Sequence, residues 1–370
     1  MSLLMPARLT HRKQQTERIY GRQTPWLGVD VGTHSIKLAV VTRNRRGQWN
    51  LDYAQRIPWP KDAEPFSSAD RFGEALHEVL RQAESVWRTK NLTQVAFSLP
   101  SSAVSTQDLC HDADDLATIH TTATQTIREI YGSRPEKLAF DVWRPDPVED
   151  SFADPPTSQL LWAEPDVVKN CVEVFRDCRL TAEILDMPPL TTARASEMLE
   201  GARESELIVD WGVTRLTLTW ILKGRPRFTR YSIQSGVADL VQSINDAQDL
   251  TSTDTELVLA RYGLPADTIS GFNRTIEKTA ADSLEVLLDE IDCTLTYLGT
   301  RYPRRTIDRI VLSGGGAAIR NLDYWLTSQI GIDSVQWMLP FGDGQATWQS
   351  LDPIPLFAHA ASLSGLGYES

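Results

Sequence analysis

Two segments of similar composition could together bind the phosphate groups of a nucleotide. Residues 30–33 read Asp-Val-Gly-Thr and residues 210–214 read Asp-Trp-Gly-Val-Thr. In each, the acid ends an apolar run, and glycine allows a tight turn whose backbone N–H groups point at an anion. Since the acid itself repels phosphate, Asp30 and Asp210 are predicted to hold Mg²⁺ through water, because that ion keeps much of its hydration. Two such segments at matching positions favour phosphate binding, with two structural turns as the alternative.

A third candidate segment is the glycine run 313–317, Ser-Gly-Gly-Gly-Ala, between a strand-like pattern and a helix-like one. Glycines there would let a flat base or a ribose lie against the main chain, near a helix start that favours negative charge. The run is neither Gly-x-Gly-x-x-Gly nor a Walker loop, since residue 319 is Ile and no Gly-Lys-Ser/Thr follows. Rossmann dehydrogenases and P-loop ATPases are therefore disfavoured.

The remaining reactive side chains form weaker patterns. The six histidines show no metal-ligand spacing, so a metal site built from them is not expected; His34, in the first turn, would contact the ligand or face solvent. Cys171 and Cys178 fall on an apolar helical pattern and are predicted to be core residues. The three acids between residues 112 and 115 are predicted to begin a helix in solvent. No general base for attack by water emerges from the spacing.

The elements that must position these segments occur in the same order twice, about 180 residues apart. The hydrophobic pattern predicts the first copy as strands at 26–31, 35–42 and 49–57, a helix with Phe72, Leu76, Val79, Leu80, Ala83 and Val86 on one face, and a strand at 94–99. It predicts the second copy as strands at 207–210, 214–222 and 228–233, a helix with Val237, Leu240, Val241 and Ile244 on one face, and a strand at 309–312. The chain is therefore predicted to be an α/β protein with duplicated mixed sheets.

A polar segment rich in Asp and Thr separates the two copies. Residues 101–150 are predicted to form an inserted subdomain with a helix at 115–131 and a strand at 137–143. Strands are then predicted at 159–163 and 181–186, on either side of a helix at 166–179 that buries Val168, Cys171, Val172 and Phe175. The polar stretch 200–206 is predicted to join two lobes.

Size and charge limit the classes of function. A chain of 370 residues exceeds what one hydrophobic core usually serves, so two lobes are expected. The net charge of −12 opposes nucleic-acid binding, which needs clustered Lys and Arg. Residues 1–25 are basic and are predicted to be a disordered arm, with contact to anionic lipid or a partner as the alternative. The absence of a long apolar run and of disulfide or zinc spacing predicts a soluble or peripheral protein of a reducing cytoplasm.

Several strings, in order, resemble one protein family. Residues 28–37 (GVDVGTHSIK), 208–212 (IVDWG) with 228–236, and 309–317 (RIVLSGGGA) are similar to the two phosphate motifs and the adenosine motif of PilM and FtsA proteins, in the superfamily of actin, sugar kinases and heat-shock ATPases. Segments 162–190 and 321–341 extend the resemblance, which covers about residues 26–366. The carboxyl end lacks the amphipathic basic helix that FtsA uses at membranes, which favours PilM.

The resemblance implies an actin-like (ribonuclease H-like) two-lobed ATPase fold. Its first lobe would span 26–203, with an inserted subdomain at about 101–178, its second lobe 204–350, and a C-terminal helix at 351–366 would return to the first lobe. ATP with Mg²⁺ would bind in the cleft between the lobes. The implied partner is the cytoplasmic tail of a PilN-like inner-membrane protein, held by the inserted subdomain, with other pilus platform or motor proteins as further candidates. The protein would be cytoplasmic and peripheral to the inner membrane.

The predicted cofactor-binding residues combine the motifs with Lys37, Gly236 and Glu256, which the resemblance adds. They are Asp30, Gly32, Thr33, His34, Ser35, Lys37, Asp210, Gly212, Val213, Thr214, Gly236, Glu256, Gly314, Gly315, Gly316 and Ala317. The family often has Ala-Glu-x-x-Lys after the second phosphate motif, but Leu259 stands where that Lys would be. Weak or absent ATP hydrolysis is therefore expected. Two other functions stay open: a small-metabolite kinase of the sugar or acetate kinase superfamily, and a nucleotide-free interaction module.

Overall fold

The structure is a computed structural model that describes residues 25–61, 63–100, 102–110, 115–132, 139–143, 157–233, 235–265, 271–340 and 352–368. The chain divides into two compact units. The first unit comprises residues 1–36, 57–188 and 363–370, and the second comprises 37–56 and 189–362. The predicted basic arm lies outside the described residues except for its last position, and the predicted lobe boundaries stay predictions.

The regular elements are as follows. The strands are β1 (Leu27–Val31), β2 (Ser35–Arg43), β3 (Trp49–Pro58), β4 (Gln94–Ser98), β5 (Val104–Cys110), β6 (Ala139–Trp143), β7 (Thr157–Ala163), β8 (Thr181–Asp186), β9 (Ser205–Trp211), β10 (Leu216–Leu222), β11 (Arg225–Ser232), β12 (Arg309–Ser313) and β13 (Ser334–Gln336). The helices are α1 (Ala69–Lys90), α2 (Leu116–Tyr131), α3 (Pro165–Asp177), α4 (Pro188–Glu197), α5 (Ala238–Gln248), α6 (Ser252–Arg261), α7 (Gly271–Thr279), α8 (Ala281–Arg301), α9 (Leu322–Ile330) and α10 (Ala358–Gly365). Among the described residues, none of these helices is long and apolar enough to cross a membrane.

The predicted repeat is confirmed by the strand order of the two larger sheets. One sheet has the order β3-β2-β1-β4-β8 and the other has β11-β10-β9-β12-β13. Strand β1 pairs in parallel with β4, and β9 pairs in parallel with β12. Every residue of β12, and all but Asp210 in β9, is buried, as expected for central parallel strands covered on both faces.

The third sheet lies between β4 and β8 along the chain and has the antiparallel order β5-β7-β6. Helix α2 packs on it around Ala123, Ile127, Leu160 and Trp162. The helix begins at Asp115, whose Oδ1 accepts a hydrogen bond from the Thr118 N–H over 2.8 Å. That bond lowers the pKa of the Asp115 carboxyl and confirms the predicted helix start, whereas Asp112 and Asp114 lie outside the described residues. The sequence patterns did not predict β5, which has few apolar residues.

Three predicted helix faces need correction. In α5 Val241 is half-buried, whereas Leu240 and Ile244 are buried. In α1 the buried stripe ends on Trp87, and Val86 is half-buried, because the stripe advances by four residues from Ala83. In α3 Val174 is buried and Val172 is half-buried, because the buried stripe advances by three residues from Cys171. The predicted core position of Cys171 and Cys178 is confirmed. Strand β9 begins at Ser205, so the end of the polar stretch 200–206 belongs to the strand.

The end of the chain contributes to each unit in turn. Residues Ile354–Phe357 form a 3-10 turn before α10, and Phe357 and Ala361 are core residues of the second unit. From Leu363 onward the chain belongs to the first unit. There Leu363 packs with Trp26, and Ser364 Oγ donates a hydrogen bond to the Trp26 carbonyl over 2.7 Å.

Candidate functional site

The first predicted phosphate segment is a tight turn between β1 and β2. The Gly32 N–H donates to the Ser35 carbonyl over 3.0 Å. Trp59 supports the turn from the end of β3, since its indole Nε1 donates to the Gly32 carbonyl at 2.9 Å and its backbone N–H to the His34 carbonyl at 3.2 Å. His34 is exposed, whereas Ser35 is buried.

The second predicted segment repeats this turn between β9 and β10. The Gly212 N–H donates to the Arg215 carbonyl, again over 3.0 Å. Support comes from the start of α5, because the Val237 N–H donates to the Gly212 carbonyl and the Ala238 N–H to the Val213 carbonyl, each at 3.0 Å. In both turns the glycine amide is therefore used inside the turn. A phosphate would therefore have to accept hydrogen bonds from the backbone N–H groups of the residues that follow each glycine.

Each predicted metal-binding acid has a serine neighbour that the site prediction missed. Ser98 Oγ donates to Asp30 Oδ1 at 3.0 Å, and Ser313 Oγ donates to Asp210 Oδ1 at 3.4 Å. The cause is strand register, which pairs the ends of β1 and β4 and, in the second unit, the ends of β9 and β12. A signal was present in the sequence, since each serine directly follows three apolar residues. Ser98 and Ser313 are almost fully buried.

Asp186 lies at the same edge of the first sheet as Asp30 and Ser98. Register pairs Asp186 with Ser98, as Ser98 is paired with Asp30, so three polar residues follow one another across β1, β4 and β8. Asp186 is buried, and its Oδ1 accepts a hydrogen bond from the Met187 N–H at 2.8 Å. Carboxyl ends of parallel strands are where α/β proteins commonly place ligand-binding groups.

Several glycines of the predicted site are required by the protein's own packing. A Cβ on Gly314, which has φ +81°, would lie 2.4 Å from Asp210 Oδ1, and one on Gly316 would lie 2.3 Å from the Trp211 ring. A Cβ on Gly236 would lie 2.2 Å from the Val213 carbonyl oxygen. At Gly315 the nearest atom would be 3.8 Å away. The protein's own packing therefore leaves no room for a side chain at Gly236, Gly314 or Gly316. The predicted adenosine contact of the run 314–317 stays a prediction.

His359 is a neighbour of Asp210 that sequence reasoning did not find. Its Nε2 lies 3.9 Å from Asp210 Oδ2 and 3.0 Å from Thr192 Oγ1. The three residues come from α10, β9 and α4. No local spacing relates positions so far apart in the chain, so only the folded second unit brings them together.

Glu256 is engaged by another side chain. Arg56 Nη2 lies 2.8 Å from Glu256 Oε2, and Arg56 Nε lies 2.8 Å from Asp352 Oδ1. Burial lowers the pKa of Arg56, but the two carboxylates outweigh it and raise that pKa above its usual value. Leu259, one turn further on α6, is a buried core residue.

Of the other predicted residues, Lys37 is half-buried on β2 and Ala317 is buried in a 3-10 turn.

The donor chemistry suits a hydrated magnesium ion better than a tightly ligated one. Among the described residues no group of three or more His, Cys, Asp or Glu could hold a metal. Asp30 and Asp210 each present one carboxylate, neither of them fully buried, and each is oriented by a serine. Mg²⁺ prefers such hard oxygen ligands and commonly keeps several waters with one or two carboxylates.

Comparison with known proteins gives a consistent result. The sequence model of the family described as type IV pilus assembly protein PilM matches residues 28–344. A solved PilM–PilN type IV pilus biogenesis complex has 18% identity and a TM-score of 0.69, covering 94% of this chain and 100% of that chain.

Two further solved structures are less similar. The ethanolamine utilization protein EutJ from Carboxydothermus hydrogenoformans has 13% identity and a TM-score of 0.49, covering 92% of this chain and 88% of that chain. MreB5 of Spiroplasma citri bound to ADP has 12% identity and a TM-score of 0.48, covering 92% of this chain and 94% of that chain. The likeness to the PilM chain shows the fold, and the predicted actin-like α/β architecture with duplicated sheets is confirmed.

Proposed function

The chain belongs to the family of type IV pilus assembly proteins PilM, and on this premise we propose that it is an ATP-binding scaffold that holds a PilN-like membrane partner. It would serve the assembly of a type IV pilus or a related secretion system. The solved complex of similar fold contains PilM together with PilN, which supports a PilN-like partner here. The proposed contact is with the cytoplasmic tail of that partner, at the subdomain containing β5, β6, β7 and α2, so that the protein works at the cytoplasmic face of the inner membrane.

One observation carries the nucleotide part of this proposal. Both units contain the same arrangement, in which an acid is the second-last residue of a strand, a serine from the neighbouring parallel strand donates to it, and a glycine turn follows. A plain structural turn needs neither the buried hydroxyl nor the carboxylate. The repetition of all three features in two units of matching strand order supports a role for each turn in binding phosphate.

Each group at the two turns has a proposed task. The carboxylates of Asp30 and Asp210 would hold Mg²⁺ through its waters, and Ser98 and Ser313 would orient them. Bound Mg²⁺ would offset the charge of the phosphate groups. The backbone N–H groups after Gly32 and Gly212 would donate to phosphate oxygens. The adenosine would lie along residues 314–317, where Gly315 has room on its main chain.

Slow or absent turnover is part of the proposal. Leu259 occupies the position of the family lysine and is buried, and Glu256 is paired with Arg56. These two observations also favour a second candidate, an interaction module that binds the partner without nucleotide. The two candidates differ in one measurable property, which is ATP binding by the purified chain.

Calorimetric titration of the full chain with ATP, with and without Mg²⁺, tests the nucleotide part. We expect Mg²⁺-dependent binding that falls about tenfold or more in Asp210→Asn, in line with the loss of a metal-oriented group. Asp289→Asn, the same charge change at an exposed position of α8, is the matched control and should bind like the wild type. A wild-type chain that binds no ATP would leave the nucleotide-free module as the function.

A pull-down tests the partner. Cytoplasmic tails of inner-membrane proteins from the same pilus or secretion system, immobilised with and without ATP in solution, should retain the full chain specifically on a PilN-like tail. Scrambled tails of the same composition serve as controls. Equal retention on all tails would contradict the proposed partner. Rapid phosphoryl transfer from labelled ATP to a small metabolite would instead indicate a kinase.

A further inference from the structure

The carboxylate of Asp210 is contacted on both of its oxygens by side chains from different elements. Oδ1 accepts from Ser313 on β12 at 3.4 Å, and the main chain at Gly314 lies so close that no Cβ would fit. Oδ2 lies 3.9 Å from Nε2 of His359 on α10. The acid is therefore enclosed by the end of β12 on one side and the start of α10 on the other.

His359 is itself held in place. Its Nε2 lies 3.0 Å from the hydroxyl of Thr192, a buried residue of α4, and the His359 carbonyl accepts from Ser362 Oγ at 2.8 Å. The imidazole is mostly buried, with 12% of its side chain exposed, against 22% for Asp210. Burial of a polar ring atom costs free energy unless it is hydrogen-bonded, and Nε2 has such a partner in Thr192.

The two oxygens around Nε2 decide where the imidazole proton lies. A ring nitrogen with a lone pair facing the Asp210 carboxylate would be repelled, whereas an N–H is attracted. We assign the proton to Nε2, which then donates to Thr192 Oγ1 at 3.0 Å and attracts the Asp210 carboxylate at 3.9 Å electrostatically. Neighbouring polar side chains commonly orient the carboxylates that hold a metal ion in proteins.

We propose that His359 is a positioning residue that keeps the Asp210 carboxylate in the orientation needed by the Mg²⁺ of bound nucleotide, with Thr192 fixing the imidazole. This inference rests on the proposed ATP binding and adds a residue from α10 to that site. His359 acts through Asp210 and has no assigned contact with the nucleotide. It ties helix α4 and helix α10 to the end of β9.

Three variants distinguish a positioning role of the His359 imidazole from a role in packing alone. His359→Leu removes the donor and keeps an apolar side chain of moderate size. His359→Gln keeps an N–H donor on a side chain of similar reach. Thr192→Val keeps the shape of threonine and removes the hydroxyl that holds the ring. If His359 only filled space, Leu and Gln would behave alike and Mg²⁺ would make no difference.

The experiment measures the affinity of a fluorescent ATP analogue for the full chain in Mg²⁺ and in EDTA. We expect His359→Leu to weaken binding in Mg²⁺ by roughly tenfold or more and to leave binding in EDTA within about twofold of wild type. His359→Gln should restore most of the loss, and Thr192→Val should show a smaller loss of the same kind. His77→Leu, at a half-buried histidine of α1, should bind like the wild type.

Circular dichroism and the melting temperature without ligand report whether each variant folds. If His359→Leu does not fold, Thr192→Val and His359→Gln carry the test. Unchanged Mg²⁺-dependent affinity in the folded variants, or equal losses in Mg²⁺ and in EDTA, would overturn the role of His359 while leaving ATP binding intact. A wild-type chain that binds no analogue in either condition overturns both the proposed function and this inference.

Discussion

Ser98 Oγ donates a hydrogen bond to Asp30 Oδ1 over 3.0 Å, across the register that pairs the last residue of β4 with β1. The second unit repeats the relationship between Ser313 and Asp210. Neighbouring parallel strands end at one edge of a sheet, so a hydroxyl on one strand can orient an acid on the next. The first two predictions concern this acid–serine arrangement and its packing.

Replacement of Ser98 by Ala should weaken Mg²⁺-dependent ATP binding. A hydrogen bond to a charged group contributes about 1.5–3 kcal/mol, so we expect an affinity loss of roughly tenfold, measured by calorimetric titration. Ser67→Ala, which removes an exposed hydroxyl bonded to the Glu64 carbonyl, is the control. Equal affinities of the Ser98→Ala and Ser67→Ala proteins would show that Ser98 does not orient a ligand-holding acid.

Gly314→Ala should destabilise the second unit strongly. The new Cβ would lie 2.4 Å from Asp210 Oδ1 and 2.8 Å from the Trp211 carbonyl oxygen, at φ +81°. Gly331→Ala is the matched control, because it has φ +77° and no atom within 4 Å of its Cβ. Backbone strain alone costs about 1–2 kcal/mol, so the control should lose about that much in urea unfolding. The prediction fails if Gly314→Ala loses no more than the control.

The ion pair of Glu206 and Arg309 should be essential to the core of the second unit. Register places Arg309 opposite Glu206, and they form a salt bridge with only 9% and 1% of their side chains exposed. Glu206 also accepts from Ser196 Oγ and from the Arg203 N–H. Removal of one partner leaves a buried charge, so Arg309→Met should cost about 3–5 kcal/mol.

The double variant Glu206→Leu with Arg309→Met checks the cause of that loss. Because it removes both charges, it should be more stable in urea unfolding than Arg309→Met alone. A double variant that is less stable than either single variant would contradict the role of the unpaired charge.

The cysteines should differ in reactivity. Burial raises the pKa of Cys171, and burial followed by the charges of Glu84 and Asp177 raises the pKa of Cys178 to about 11. Since the thiolate is the reactive form, both stay protonated at pH 8 and should react with iodoacetamide far more slowly than the exposed Cys293. Peptide mass spectrometry over time measures the rates. In denaturant Cys171 and Cys178 should become reactive; rapid labelling of either in the folded protein would contradict its core position.

Much of the fold was predictable because its patterns are local. The strands predicted at 35–42 and 49–57 are present as β2 and β3, joined by a short turn with Gly47 at φ +83° and the Asn44 N–H bonded to the Gln48 carbonyl. Helix faces were predicted to within one or two positions, as Trp87 in place of Val86 and Val174 in place of Val172 illustrate. Strand β5 was missed, since its pairing with β7 depends on a partner about fifty residues away rather than on its own composition.

The sequence by itself determined the repeated strand order and placed Asp30 and Asp210 at the ends of buried strands, because apolar runs and glycine turns act over a few residues. The tertiary structure decided which side chains reach those acids. Parallel strand register brings Ser98 and Ser313 to the acids. His359 of α10, hydrogen-bonded to Thr192 of α4, lies beside Asp210. Such contacts join residues that are far apart in the chain, and no local periodicity records them.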